Sequence, residues 1–259
     1  MKKLISIISF LFIGFACVAE PVKSMLGSDG TDFNSDELMP TAADYVQDGL
    51  VLMLDAIENA GWGQHDPNAI VWKDLVGNKD FTLASDAFFN NTSLFSPTSP
   101  YASYSGTIFS SDWDGVQIET AFQFAFNDTS TFPNIFGSQS DRYGFFFHRQ
   151  YSIWTIKWYG DQYSRVSSSS NSKWFSCGGL SFGFSNASIE GTLTIDGIYS
   201  WTGGNYVLAN ATETWVIGGN SNQIRYLNGK VHCIRVYSRQ LSPQEIQYNY
   251  LVDKERFGL

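Results

Sequence analysis

The sequence predicts an all-β protein built as an antiparallel sandwich, and three observations predict it. Aromatic residues make up 16% of the 259, with 21 Phe, 13 Tyr and 8 Trp, a bias that suits pleated surfaces better than helical bundles. Val116, Ile118, Thr120, Phe122, Phe124 and Phe126 alternate with Gln117, Glu119, Ala121, Gln123 and Ala125, a period of two that no helical stripe reproduces. Short apolar runs also recur between turn signals, among them Asp196-Gly197 and Asn228-Gly229, dipeptides that supply the positive φ angles of tight hairpins. An apolar content of 43% is enough for a real core and excludes disorder over most of the chain. The formal charge of −9, with no basic stripe, excludes a nucleic-acid partner, because binding a phosphate backbone needs clustered cations.

Taken in order, Met1 to Ala19 reads as a signal peptide: Lys2 and Lys3, an apolar run from Leu4 to Val18, then small residues. The run is too short for a transmembrane span. Cleavage after Ala19 releases a secreted or cell-surface chain, whereas cleavage after Ala16 would leave Cys17 at the new N-terminus, where a lipid anchor attaches. Residues 20–44 are rich in Gly, Ser, Asp, Asn and Thr and read as a flexible tether. One domain is expected from 45 to 259, since no later composition shift marks a boundary.

Within it, strands are expected at Leu50–Leu54, Val116–Phe126, Gly144–Arg149, Ser152–Tyr159, Ser181–Phe184 and Trp215–Gly218. Asp196-Gly197 joins TLTI to IYSW, and Asn228-Gly229 joins IRYL to KVHCIRVY. A single helix closes the chain. Ser242 caps it, Pro243 suits its first position, Glu245 completes a capping box, Leu241 and Ile246 staple the start, and Gly258 stops it. Cys177 and Cys233 remain outside the leader, either to pair in an oxidising compartment or to pack as small hydrophobes.

The opening DYVQDGLVLMLDAIENAGWGQHDP, the following VWKDLVGNKDFTL, and the closing VIGGN and LNGKVHCIRVYSRQLSPQEIQYNY together resemble the concanavalin A-like lectin and glucanase superfamily, in its laminin-G-like bacterial branch. These segments bracket Tyr45 to Phe257. The resemblance implies a two-sheet antiparallel jelly roll whose concave face or rim loops often bind glycans. Some relatives bind protein or calcium, and some hydrolyse polysaccharides, so the fold alone does not fix function.

Glucanases of this superfamily set paired carboxylates at alternating positions of one strand, because nucleophile and acid must flank one glycosidic bond. No Glu-x-Asp-x-Glu occurs here, and Glu119 stands alone on its strand. His65, His148 and His232 have no Gly-x-Ser-x-Gly elbow to serve, and the glycine pairs lack the helix and Lys of a phosphate cradle. No enzymatic activity is therefore expected. Calcium is the one cofactor left open, at Asp112 and Asp114 around Trp113, although a hard cation needs more oxygens than two carboxylates offer.

Sugar binding asks for flat aromatic faces beside hydrogen-bonding side chains. FFFHRQYSIWTIKWYG supplies His148, Arg149, Trp154, Trp158 and Tyr159, and Trp201 beside Asn205 supplies a second aromatic position. Trp154 and Trp158 share one strand face and serve either the core or a ligand. Trp62 and Trp72, in the opening motif, read as structural. The expectation is a non-catalytic module that binds a glycan or other surface ligand, with a glycoside hydrolase or a protein-docking adhesion module as alternatives.

Overall fold

The computed structural model describes residues 39–259 except 98–99, 126–133, 141, 149–152, 159–161, 168–173, 176–178, 186, 188–190, 196–197, 205, 207, 220–226 and 228. The strands are β1 (Leu50–Asp55), β2 (Val71–Trp72), β3 (Phe81–Leu83), β4 (Phe88–Phe89), β5 (Leu94–Phe95), β6 (Ala102–Thr107), β7 (Gly115–Ala125), β8 (Asn134–Ser138) and β9 (Gly144–His148). They continue as β10 (Ile153–Trp158), β11 (Gln162–Ser167), β12 (Trp174–Phe175), β13 (Leu180–Ser185), β14 (Gly191–Ile195), β15 (Ile198–Gly203), β16 (Thr212–Ile217) and β17 (Gly229–Tyr237). One helix, α1 (Pro243–Phe257), follows. A nine-stranded sheet runs β15-β14-β13-β7-β17-β5-β4, with β1 also on β17 and β12 on β7, and an eight-stranded sheet runs β11-β10-β9-β8-β16-β6-β3-β2. All pairings named for these strands are antiparallel, as the hairpin and alternation signals require.

The core lies between the sheets. Leu52, Val236, Ile118, Phe182 and Leu193 stand in register across five strands and are buried from one side. Phe81, Phe136, Trp215 and Ile217 meet them from the other sheet, with Phe136 stacked on Trp215 at 5.9 Å. Tyr101 enters beside Gly218, whose φ of 75° and missing Cβ are both needed because the Tyr101 ring occupies the place a side chain would take. Trp72 is wholly buried and donates Nε1–H to the Asp55 carbonyl at 3.0 Å, in keeping with its structural reading.

The long alternating strand differs from its expectation in one respect. A half-buried strand would leave Gln117 and Glu119 in water, yet both are buried. The cause is α1, which covers that outer face and packs Val252 with Met53, Phe257 with Ala121 and Cys233, and Ile246 with Tyr237. The expected helix signals all operate: the Ser242–Glu245 capping box is formed, Leu241 and Ile246 share a cluster, and Gly258 caps in the left-handed region. The Asp196-Gly197 connection spans two residues between paired Ile195 and Ile198, while the conformation of the turn itself, Asn228 and the expected IRYL strand lie outside the described residues. Cys233 is a buried free thiol, and Cys177 lies outside the described residues. Among the described residues no helix is long and apolar enough to cross a membrane.

Candidate functional site

Strand register sorts the residues of each sheet by face. On the nine-stranded sheet, Met53, Arg235, Glu119, Ser181 and Thr194 form one cross-strand row on the side away from the core. Here the chain places charge. Arg235 grips Asp253 of α1 through two contacts of 2.7 Å and reaches Glu119 at 3.1 Å. Asn249 Nδ2 donates to Glu119 at 2.7 Å, Ser181 donates to it at 3.1 Å, and Tyr45 OH donates to Asp253 at 2.7 Å. Burial pushes the Glu119 carboxyl up, Arg235 and Asn249 pulling against it. Burial likewise raises Cys233 well above the ordinary thiol range, so it is neutral beside Arg235. A second pair, Arg256 with Asp55 at 2.8 Å and Glu58 at 3.3 Å, ties the last turns of α1 to β1. Each of these carboxylates is at most 5% exposed, so none is available to a substrate. The cluster is a clasp that fixes the helix to the sheet.

Beside the clasp, a groove of about 460 Å³ opens between β14 and the start of α1, lined by Thr192, Thr194, Gln240 and Arg239 among others. Its one cation is already held: Arg239 meets Glu245 at 2.6 Å and Asp48 at 2.8 Å. That pairing lowers Glu245 to about 2.

The eight-stranded sheet presents a different outer face. Val71, Thr82, Ser103, Val216, Gly137, Gly144, Lys157 and Tyr163 form one row crossing all eight strands. Residues two positions along share that face, so Ser105, Thr107, Thr212 and Thr214 lie on it. Val216 is buried, whereas Ser105, Thr107 and Thr212 are exposed. Ser105 and Thr214 pair their hydroxyls at 3.1 Å, and Thr107 and Thr212 at 2.8 Å. The segments after β6 and before β16 continue this polar strip: Ser111 N–H donates to Asn210 Oδ1 at 3.1 Å, Asn210 Nδ2 donates to Ser111 Oγ at 3.0 Å, and Ser111 Oγ donates to Asp112 at 3.4 Å. Hydroxyl pairs, an amide and a carboxylate together offer the mixed donors and acceptors that saccharide hydroxyls match.

The described strands give a register position to several of the residues singled out from the sequence. His148 stands across from Ile153 on the outer-face register of β9, two positions from Phe146 and four from Gly144. Trp154 pairs with Phe147 and Trp158 with Gln162 in the strand register. Trp201 belongs to the other sheet, across from the core residue Leu193. Arg149, Tyr159 and Asn205 lie outside the described residues. Asp112 and Asp114 are exposed, and among the described residues no three His, Cys, Asp or Glu side chains gather around a point where a metal would sit. His65 holds the Ala56 carbonyl at 3.1 Å through Nδ1, a local packing role. The hydroxyl row is not legible in the sequence because ASYSGT lacks a regular apolar alternation, and its two hydroxyl pairs join positions 109 and 105 residues apart.

Residues 120–247 match the sequence model of a laminin G-type family in the concanavalin A-like lectin/glucanases superfamily. No curated protein matches the chain. Among solved structures, Trypanosoma rangeli sialidase is similar at a TM-score of 0.53 and 17% identity over 82% of this chain. The binding domain of botulinum neurotoxin serotype D is similar at 0.57 and 15% over 78%. The chain spans 33% of the sialidase's length and 50% of the toxin domain's, and at such identity the likeness is one of fold. These neighbours correct the expectation of a non-enzyme. A sialidase and a binding domain both carry this architecture, so the fold does not separate binding from hydrolysis. Searching for acids along one strand was too narrow a criterion, because folding joins distant positions, as it does Glu119 and Arg235, 116 residues apart.

Proposed function

We propose, on the premise that residues 120–247 belong to the concanavalin A-like lectin/glucanase superfamily, that this domain recognises a saccharide across the outer face of its eight-stranded sheet. The observation that carries the reading is the exposed double hydroxyl row, Ser105–Thr214 and Thr107–Thr212, on the face that α1 leaves open. These side chains are satisfied by each other and by water, so a sugar can take their partners over without stranding a buried group. Asn210, Ser111 and Asp112 extend the contact at one end. The leader-like first 19 residues support export to the surface or medium, where such ligands are met. A shallow polar site of this kind binds with Kd of about micromolar to millimolar.

A glycan-array screen of the chain, with calcium and with chelator, tests this, followed by incubation of each hit with measurement of released reducing ends. Selective binding is expected. Loss of binding in chelator would bring Asp112 and Asp114 into the site, and release of reducing ends would assign hydrolysis to it. An empty array would contradict the reading and favour a protein-docking adhesion module.

A further inference from the structure

The connection from β1 to β2, residues 56–70, passes from one sheet to the other at an end of the sandwich, and it treats its tryptophan unlike the rest of the core. Trp62 is 45% exposed, whereas Trp72, ten positions on, is wholly buried. An indole left in water on a mobile loop would be unremarked, but this loop is braced throughout. Gly61 N–H donates to the Glu58 carbonyl at 3.2 Å, Gln64 N–H to the Gly61 carbonyl at 2.9 Å, and Ala60 N–H to the Gln64 carbonyl at 3.2 Å. Glu58, itself 5% exposed, accepts Gly63 N–H at 2.7 Å with one oxygen and Ala42 N–H at 2.8 Å with the other, which also meets Arg256. Asn59 and Asp66 close the far side through reciprocal bonds of 2.8 and 2.7 Å.

Glycines flank the indole on both sides. Gly61 and Gly63 have φ of 139° and 67°, and a Cβ added at Gly63 would meet nothing within 4 Å. The Gln64 side-chain amide lies 3.7 Å from the corresponding point on Gly61. The result is a half-exposed indole on a loop whose backbone is held by hydrogen bonds, with open space beside Gly63. A braced backbone reduces the entropy lost on binding, and an exposed aromatic face matches the apolar C–H face of a pyranose ring. No Lys or Arg occurs from 56 to 70, and Asp66 is exposed, so the loop has no attraction for a carboxylated or sulfated sugar or for an anionic membrane.

We propose that the Gly61-Trp62-Gly63 loop is a second saccharide contact, taking a neutral pyranose ring on the Trp62 face. The inference rests on the saccharide reading of the domain but names a different surface. The test uses the chain labelled with 5-fluorotryptophan, its Trp62 resonance assigned by the signal missing from Trp62→Phe, titrated with cellopentaose, xylopentaose, laminaripentaose, maltopentaose and 6′-sialyllactose. One neutral oligosaccharide is expected to move the Trp62 resonance. Trp62→Ala is expected to weaken its binding about tenfold, and Trp62→Phe to weaken it by about threefold or less, with thermal midpoints unchanged. Equal affinity in wild type and Trp62→Ala with a stationary resonance would overturn this inference and leave the outer-face reading standing. Absence of any saccharide binding would overturn both. A Trp62 shift produced by phosphatidylcholine vesicles and by no oligosaccharide would overturn it in favour of a lipid surface.

Discussion

The outer faces of the two sheets are made from opposite chemistry. Behind the nine-stranded sheet, Arg235, Glu119, Asp253, Asn249 and Tyr45 are almost wholly withdrawn from water, and each depends on the others for partners. On the eight-stranded sheet, Ser105, Thr107 and Thr212 remain in water and make only the hydroxyl pairs described above. A buried ionic network has no spare capacity, because exchanging any partner leaves a charge unsolvated. An exposed hydroxyl row can exchange partners at little cost. The difference separates a face used to hold the fold from a face free to take a ligand, although both are polar.

The largest effect of a substitution is expected at the clasp. Arg235→Met removes the cation between two buried carboxylates and should destabilise the chain by about 3–5 kcal/mol, read from chemical denaturation. A loss below about 1 kcal/mol would show that water reaches the cluster and that it is no sealed clasp. The pH dependence offers a finer probe of the same region. His232 is buried against Phe257 with Nδ1 on the Thr92 carbonyl at 2.8 Å and no partner for Nε2, and burial lowers its pKa from 6.5. The unfolded chain therefore takes up a proton, as pH falls below 6.5, that the folded chain refuses. The stability contributed by neutral His232 is full above that value and declines beneath it. Thermal midpoints of wild type and His232→Gln should diverge less at pH 5 than at pH 7.5. An equal gap at both values would show that His232 accepts its proton in the folded state.

Much of the clasp was legible in the sequence as local structure but not as chemistry. Ser242, Pro243, Glu245 and Gly258 announce α1 because capping is decided within a few residues, and the alternation from Val116 announces β7 because a sheet face repeats every second position. That Gln117 and Glu119 would be buried was not legible, since the cover comes from α1, with Asn249 130 residues beyond Glu119. The two tryptophans of the opening motif differ for a related reason. Trp62 and Trp72 read alike in the sequence, yet Trp72 is wholly buried while Trp62 stands in water. Exposure of one indole and burial of another ten residues away depends on which sheet edge the loop leaves, a tertiary fact.

The smallest effect on stability is expected where the largest effect on binding should fall. Thr107→Val with Thr212→Val keeps the shape of the exposed row and removes its hydroxyls, and should alter folding stability by no more than about 0.5 kcal/mol. Isothermal titration of the best glycan-array hit into wild type and this double variant is the most direct measurement of the account. A loss of about tenfold or more in affinity with an unchanged thermal midpoint is the predicted result. Unchanged affinity would contradict the claim that the outer face of the eight-stranded sheet is the ligand surface.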